Sequence, residues 1–93
     1  RAMQNTIGSN VETLYHILDS RAEALEFVIR EESEVTGIPL MNLNLKNNLL
    51  IGCINRGGNI KIARGQDCIQ QGDTVIVLTS QKGLRDIRDI LRK

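Results

Sequence analysis

Two adjacent glycines, Gly57 and Gly58, stand between two apolar runs near the middle of the chain. The second run, residues 60–63, alternates apolar and polar side chains, which is the pattern of a half-buried strand. A glycine pair between two such runs is typical of a tight β-hairpin. A phosphate-binding loop would instead lead into a helix, and neither GxGxxG nor GxxxxGKS/T occurs in the sequence. The glycines therefore predict a hairpin across residues 49–63 rather than a nucleotide loop.

The composition indicates one small domain with an aliphatic core. The chain has 93 residues, of which 28 are Ile, Leu or Val, against one Phe, one Tyr and no Trp. The 12 basic and 11 acidic residues are interspersed and give a net charge of +1, so the sequence lacks the basic surface that nucleic acid or an anionic membrane would require. Its apolar runs are far too short to span a bilayer. We expect no nucleic-acid partner and no direct membrane insertion.

The apolar periodicity predicts a compact α+β domain with the element order β-β-α-β-β-β-α and a mixed or antiparallel sheet. The first ten residues are polar and are predicted to form a linker or tail, which leaves residues 11–93 as the domain. The chain starts without Met or a signal peptide, as expected of a piece of a longer protein. The predicted strands are residues 11–18, 23–31 (where a helix is the alternative), 49–54, 60–63 and 74–80.

Two helices complete the prediction. A short one begins at Pro39, because proline fits the first turn of a helix, and it places Leu40 and Leu43 on one face. A C-terminal helix is expected over residues 83–93, where Leu84, Ile87 and Leu91 recur at helical spacing.

The sequence contains no recognisable catalytic constellation. Its single histidine, His16, has no motif-spaced partner, and Cys53 and Cys68 lack the spacing of a zinc or redox motif. We therefore predict that the chain is not an enzyme and has no metal site. The "EESE" turn places three carboxylates close together, which suits either a divalent cation or a solvated turn, and the solvated turn is favoured because three ligands are too few.

Polar side chains gather between the predicted short helix and the strand that follows it. The candidate ligand-binding residues are Asn42, Asn44, Lys46 and Asn47. Amides can donate to and accept from a heterocycle or a ribose, and the lysine adds a cation for a phosphate. The alternative is that the asparagines serve turns and caps. Arg56 and Arg64, which flank the hairpin, are either an anion clamp or solvated side chains.

The order and spacing of several short motifs resemble the C-terminal domain of TrkA, which is also the C-terminal subdomain of RCK (regulator of potassium conductance) proteins. The likeness covers about residues 11 to 91. It includes "TGIPLMNLNL", an apolar strand that ends in "INRGG", and "QQGDTVIVLTS". The matching residues are Gly37, Pro39, Leu40, Leu43, Leu45, Ile54, Arg56, Gly58, Ile69, Gly72, Asp73, Val75 and Val77.

The resemblance implies a cytosolic regulatory domain that forms a homodimer. It would sense a ligand and control monovalent cation transport by a potassium-translocating membrane subunit of the TrkH or KtrB kind, at the inner face of the cell membrane. In the family, NAD or ATP binds the N-terminal Rossmann subdomain, so no cofactor is expected in this chain. Some relatives bind cyclic di-AMP at the dimer interface, where a typical acidic residue and arginine correspond to Asn44 and Lys46. The dimer interface is expected at residues 39–45 and the strand that follows.

Two alternatives fit the same resemblance. The domain also occurs attached to transcription regulators and to other transporters, where it senses an effector. It could also be a dimerisation scaffold that binds no ligand.

Overall fold

The computed structural model describes residues 11–19 and 21–92. It has one α-helix, α1 (residues 11–18), and four strands: β1 (Glu23–Val28), β2 (Leu49–Arg56), β3 (Asn59–Ile62) and β4 (Thr74–Thr79). Two short 3-10 helices are formed by Leu40–Asn42 and Ile87–Ile90. The predicted tail at residues 1–10 lies outside the described residues. The α+β class and the four later predicted strands are confirmed.

The four strands form one antiparallel sheet in the order β1-β4-β2-β3. The predicted hairpin is present, with Arg56 paired to Asn59 across the two glycines. Gly57 and Gly58 have φ angles of 59° and 89°, the left-handed conformation that both central residues of a type I′ turn require. The strand predicted over residues 23–31 is confirmed as β1, and the helical alternative for this segment is wrong.

One side of the sheet carries the main core. Ile54, Val75 and Val77 point to this side and are completely buried. The loop residues Val35 and Ile69 cover them together with the two 3-10 helices. In β2 the register shifts by one residue at Gly52, which is a β-bulge.

The prediction of a strand over residues 11–18 is wrong, because this segment is helix α1. The segment alternates for part of its length, but Leu14 and Ile17, its two least exposed apolar residues, also follow the i, i+3 spacing of a helix. The helix buries Ile17, which is 1% exposed and lies apart from the main core, and it leaves Tyr15 and Leu18 on the surface. The first element is therefore α, and the observed order begins α-β.

The two predicted later helices are present only as short 3-10 turns. The C-terminal one ends at Ile90, and Leu91 is already extended, with φ −82° and ψ 142°. Leu91 forms an antiparallel bridge with Leu45 instead of continuing the helix. Ile87 and Ile90 are three residues apart and both are buried, which is the spacing of a 3-10 turn. Tertiary pairing therefore overrides the helical periodicity at this end.

Among the described residues, none of the helices combines the length and the apolar character needed to cross a bilayer.

Candidate functional site

The predicted ligand-binding residues lie in the segment that connects the first 3-10 helix to β2. This segment pairs with the C-terminal residues of the domain. The amide of Arg92 donates to the carbonyl of Asn44 over 2.8 Å, and the amide of Lys46 donates to the carbonyl of Ile90 over 2.9 Å. The backbone of the predicted site is thus held in place by residues more than 40 positions away in the sequence.

Two of the asparagines in this segment have structural tasks. The side-chain oxygen of Asn47 accepts a hydrogen bond of 2.6 Å from the Arg92 guanidinium, and its carbonyl accepts one of 2.7 Å from the Gln81 side chain. Asn48 has a φ of 56°, a left-handed conformation that asparagine tolerates. Its carbonyl accepts a bond of 2.8 Å from the Thr79 hydroxyl. The turn role considered for the asparagines therefore applies to these two.

An open cleft of about 510 Å³ lies between α1 and the start of β2. Two of the predicted residues, Lys46 and Asn47, line it, whereas Asn42 and Asn44 are exposed outside it. Helix α1 contributes Thr13 and His16 to the polar lining, and Asn48 lies beside Asn47 on the other wall. The sequence did not predict Thr13 and His16 for the site, because the segment was expected to be a strand. Their i, i+3 spacing, which puts both on one side of a helix, is the pattern that could have indicated them.

The cleft combines one cation with several hydrogen-bonding groups. Lys46 is half-buried, and it forms no ion pair with any residue that the structure describes. A lysine ammonium carries three donors and no acceptor, so it suits a phosphate or another anion. The hydroxyl of Thr13 can donate and accept hydrogen bonds beside it, and the side-chain NH2 of Asn47, whose oxygen is bound by Arg92, can donate them. These groups are chemically suited to a small anionic molecule.

Arg56, one of the two arginines considered as an anion clamp, already forms hydrogen bonds within the chain. Its guanidinium forms two hydrogen bonds of 2.9 Å to the carboxylate of Asp73 and one of 2.8 Å to the carbonyl of Cys68. The Asp73 side chain is 1% exposed, and it also accepts a bond of 2.8 Å from the amide of Gln70. The Arg56 guanidinium holds the pKa of the Asp73 carboxyl below its usual range, although burial opposes the shift. Arg56 therefore stabilises the fold.

Arg64, the other of these two arginines, is an exposed side chain in the loop that follows β3. Its amide donates to the carboxylate of Asp67 over 2.8 Å. The same carboxylate forms an ion pair of 2.9 Å with the Lys61 ammonium. The hydrogen bond from Lys61 lowers the pKa of the Asp67 carboxyl. Within residues 11–19 and 21–92, no three His, Cys, Asp or Glu side chains gather as a metal site would require, so the three "EESE" carboxylates do not form such a group.

Comparison with known proteins identifies relatives of this chain. The model of the family described as the TrkA-C domain matches residues 24–92. A Trk system potassium uptake protein TrkA homolog of Pyrococcus abyssi is 34% identical over 73 residues, which are 77% of this chain and 32% of that protein. The Trk system potassium uptake protein TrkA of Haemophilus influenzae is 36% identical over 76 residues, 78% of this chain and 16% of that protein.

A third relative, Trk system potassium uptake protein TrkA homolog 1 of Methanosarcina mazei, is 29% identical over 82 residues. These residues are 88% of this chain and 18% of that protein. The chain thus spans about a third or less of the length of the relatives that it matches.

Proposed function

The chain belongs to the TrkA-C domain family, and on that premise we propose that it is the ligand-sensing regulatory domain of a Trk-type or Ktr-type potassium uptake system. In this proposal the domain works in the cytoplasm as a homodimer and performs no catalysis. It controls monovalent cation transport through a potassium-translocating membrane subunit, at the inner face of the membrane. Its resemblance to proteins named for potassium uptake supports this role.

The observation that carries the sensing role is the half-buried Lys46 in the cleft beside α1. A cation without a carboxylate partner among the described residues is a favourable place for a phosphate. The neighbouring hydroxyl and amide groups can select the molecule that carries the phosphate. We propose a small nucleotide as the effector, with cyclic di-AMP as the first to test.

The position of the cleft provides a route from ligand to output. One wall belongs to α1, and the other belongs to residues 45–49. A ligand that contacts both walls favours the conformations in which α1 is docked on the domain, because it binds those conformations more tightly. The change in the docking of helix α1 would then signal to neighbouring parts of the transport system that the ligand is bound.

Isothermal titration calorimetry with cyclic di-AMP tests the proposal, with ATP added in a separate titration. We expect saturable binding that weakens at least tenfold in Lys46→Ala, because the substitution removes the cation of the cleft. Arg30→Ala is the matched control, since it removes one positive charge from an exposed residue that does not line the cleft. It should bind as the native chain does.

The stoichiometry adds a second test. A cleft formed within one chain predicts one ligand per chain, whereas a ligand on a two-fold axis between copies would give one per two chains. Absence of heat with every nucleotide would contradict ligand sensing and favour a scaffold that binds no ligand. Binding that Lys46→Ala leaves unchanged would move the effector site out of this cleft.

A further inference from the structure

Arg92 connects the C-terminal segment of the domain to the candidate ligand cleft. Its backbone amide donates to the carbonyl of Asn44 over 2.8 Å, and its guanidinium donates to the side-chain oxygen of Asn47 over 2.6 Å. Arg92 therefore holds the segment before β2 at two points that are three residues apart. Asn47 lines the cleft, so the second contact is the one through which Arg92 can influence a ligand.

The guanidinium determines which atoms of Asn47 are available to a ligand. An arginine side chain has five N–H donors and no acceptor, so it can bind the oxygen of an asparagine amide but not the NH2 group. Because Arg92 occupies the oxygen, the NH2 group is what Asn47 has left for a ligand. Without that contact, the amide can rotate about its last bond and offer either the oxygen or the NH2 group. Arg92 thus makes Asn47 a donor only.

The neighbouring lysine is also a donor only. The Lys46 ammonium has three donors and no acceptor, and it forms no ion pair with any residue that the structure describes. Two adjacent residues on one wall of the cleft therefore offer donors alone, and one of them is charged. A phosphate matches this pair because it has several acceptor oxygens and a negative charge. A neutral hydroxyl matches it less well, since its own proton needs an acceptor.

The backbone of Asn47 does not depend on the Arg92 side chain. The Gln81 side chain donates to the carbonyl of Asn47 over 2.7 Å. The bond from Arg92 to Asn44 comes from a backbone amide, so it persists when the arginine side chain is replaced. Arg92 and Asn47 are both exposed, and substitutions of exposed residues change stability little. Removing the guanidinium should therefore free one side chain and leave the cleft in place.

We infer that Arg92 is a positioning residue of the ligand cleft, which fixes the Asn47 amide as a donor so that Asn47 and Lys46 together select a phosphate group. The inference rests on the ligand cleft of the proposed function and adds the residue that sets its selectivity. It requires that Arg92 act through Asn47 and not through its own charge.

A double-mutant cycle tests this requirement, with cyclic di-AMP, ATP and inorganic phosphate in separate calorimetric titrations. Arg92→Ala should weaken the binding of each probe that the native chain binds by about fivefold, because the probe itself then has to order the Asn47 amide. In an Asn47→Ala background, where no amide is left to position, the same substitution should change the affinity by less than about twofold. Arg92→Lys keeps a donor for the Asn47 oxygen and should restore most of the affinity.

Two further measurements separate positioning from charge and from folding. Arg85→Ala is the matched control, since it removes an exposed arginine of the C-terminal segment that does not line the cleft, and it should bind as the native chain does. In heteronuclear NMR spectra of the native chain, the side-chain NH2 signals of Asn47 should shift with inorganic phosphate and not with adenosine. In Arg92→Ala, the phosphate-induced shift should be smaller.

Equal losses from Arg92→Ala in both backgrounds would show that Arg92 acts through its charge alone. An unchanged affinity in Arg92→Ala would show that it does not act on the ligand. Either result, with binding that still depends on Lys46, overturns the inference and leaves the proposed function standing. A native chain that binds none of the three probes overturns both.

Discussion

Arg56 and Asp73 are joined by two hydrogen bonds of 2.9 Å, one to each carboxylate oxygen. Arg56 is the last residue of β2, and Asp73 directly precedes β4. The pair therefore fixes the end of the hairpin to the start of the central strand beside it. Asp73 is almost completely buried, so its carboxylate has lost most of its contact with water. The Arg56 guanidinium and the Gln70 amide compensate this loss by donating hydrogen bonds to it.

Removing the guanidinium should destabilise the domain by about 2–3 kcal/mol, because a buried carboxylate loses its main partner. Arg56→Met is the preferred change, since it keeps most of the aliphatic stem. Arg64→Ala removes an exposed arginine from the nearby loop and should change the free energy of unfolding by less than about 0.5 kcal/mol. Urea denaturation of the two variants measures the difference, and equal stabilities would show that the Arg56–Asp73 pair contributes little.

Acid should remove the contribution of this pair. The pKa of Asp73 is lower in the folded chain than in the unfolded one, so the unfolded state takes up a proton first as the pH falls. The stabilisation is complete above the unfolded pKa of about 4 and is lost as the pH falls through the folded value. The stability gap between the native chain and Arg56→Met should therefore be widest near neutral pH and shrink as the pH falls, because the buried carboxylate of the variant, without the guanidinium, takes up a proton before that of the native chain. A gap that widens in acid would contradict this assignment.

The cost of a substitution at Gly57 or Gly58 should depend only on how well the new residue adopts the backbone conformation of the turn. A side chain at Gly57 or Gly58 would meet no atom within 4 Å, so any cost comes from their positive φ angles. Gly58→Ala should cost about 1 kcal/mol, because an alanine is strained in a left-handed conformation. Gly57→Asn should be close to neutral, since asparagine is common at this position of a type I′ turn. Thermal unfolding of the two variants compares them, and an equal loss would contradict the turn assignment.

The C-terminal 3-10 helix should be an integral part of the core. Ile90 is completely buried there, so Ile90→Ala should lower the free energy of unfolding by about 2–5 kcal/mol. Leu18→Ala offers the control, because Leu18 is 63% exposed and alanine favours helices. Chemical denaturation should separate the two clearly. Similar small losses in both variants would mean that residues 87–90 are only loosely attached.

The sequence predicts the hairpin well because the information is local. Gly57 and Gly58 determine the turn, and the alternation that follows determines which face each side chain takes. The strands β1 and β4 are also predicted correctly, since valine, isoleucine and phenylalanine favour a pleated, half-buried surface. Helix α1 is missed because eight residues with β-formers satisfy a period of two and a period of 3.6 about equally well.

The lining of the candidate cleft could be anticipated only in part. Lys46 and Asn47 lie in one polar segment of the sequence, which is a local signal. Thr13 and His16 come from α1, more than 25 residues earlier, and only the tertiary packing of that helix brings them to the cleft. The engagement of Arg56 by Asp73 is likewise a contact across 17 residues, which no local pattern reveals.

The sheet order has a consequence for the way in which the chain acquires its structure. Strand β4 lies between β1 and β2, yet it is the last strand in the sequence. On the ribosome, the β2–β3 hairpin can close as soon as it emerges, because its pairing is local. Strand β1 has to wait for β4, some 50 residues later, and that closure carries the greater entropic cost. The nascent chain therefore exposes an apolar hairpin until translation passes Thr79, which makes this interval the one in which aggregation and chaperone binding are most favoured.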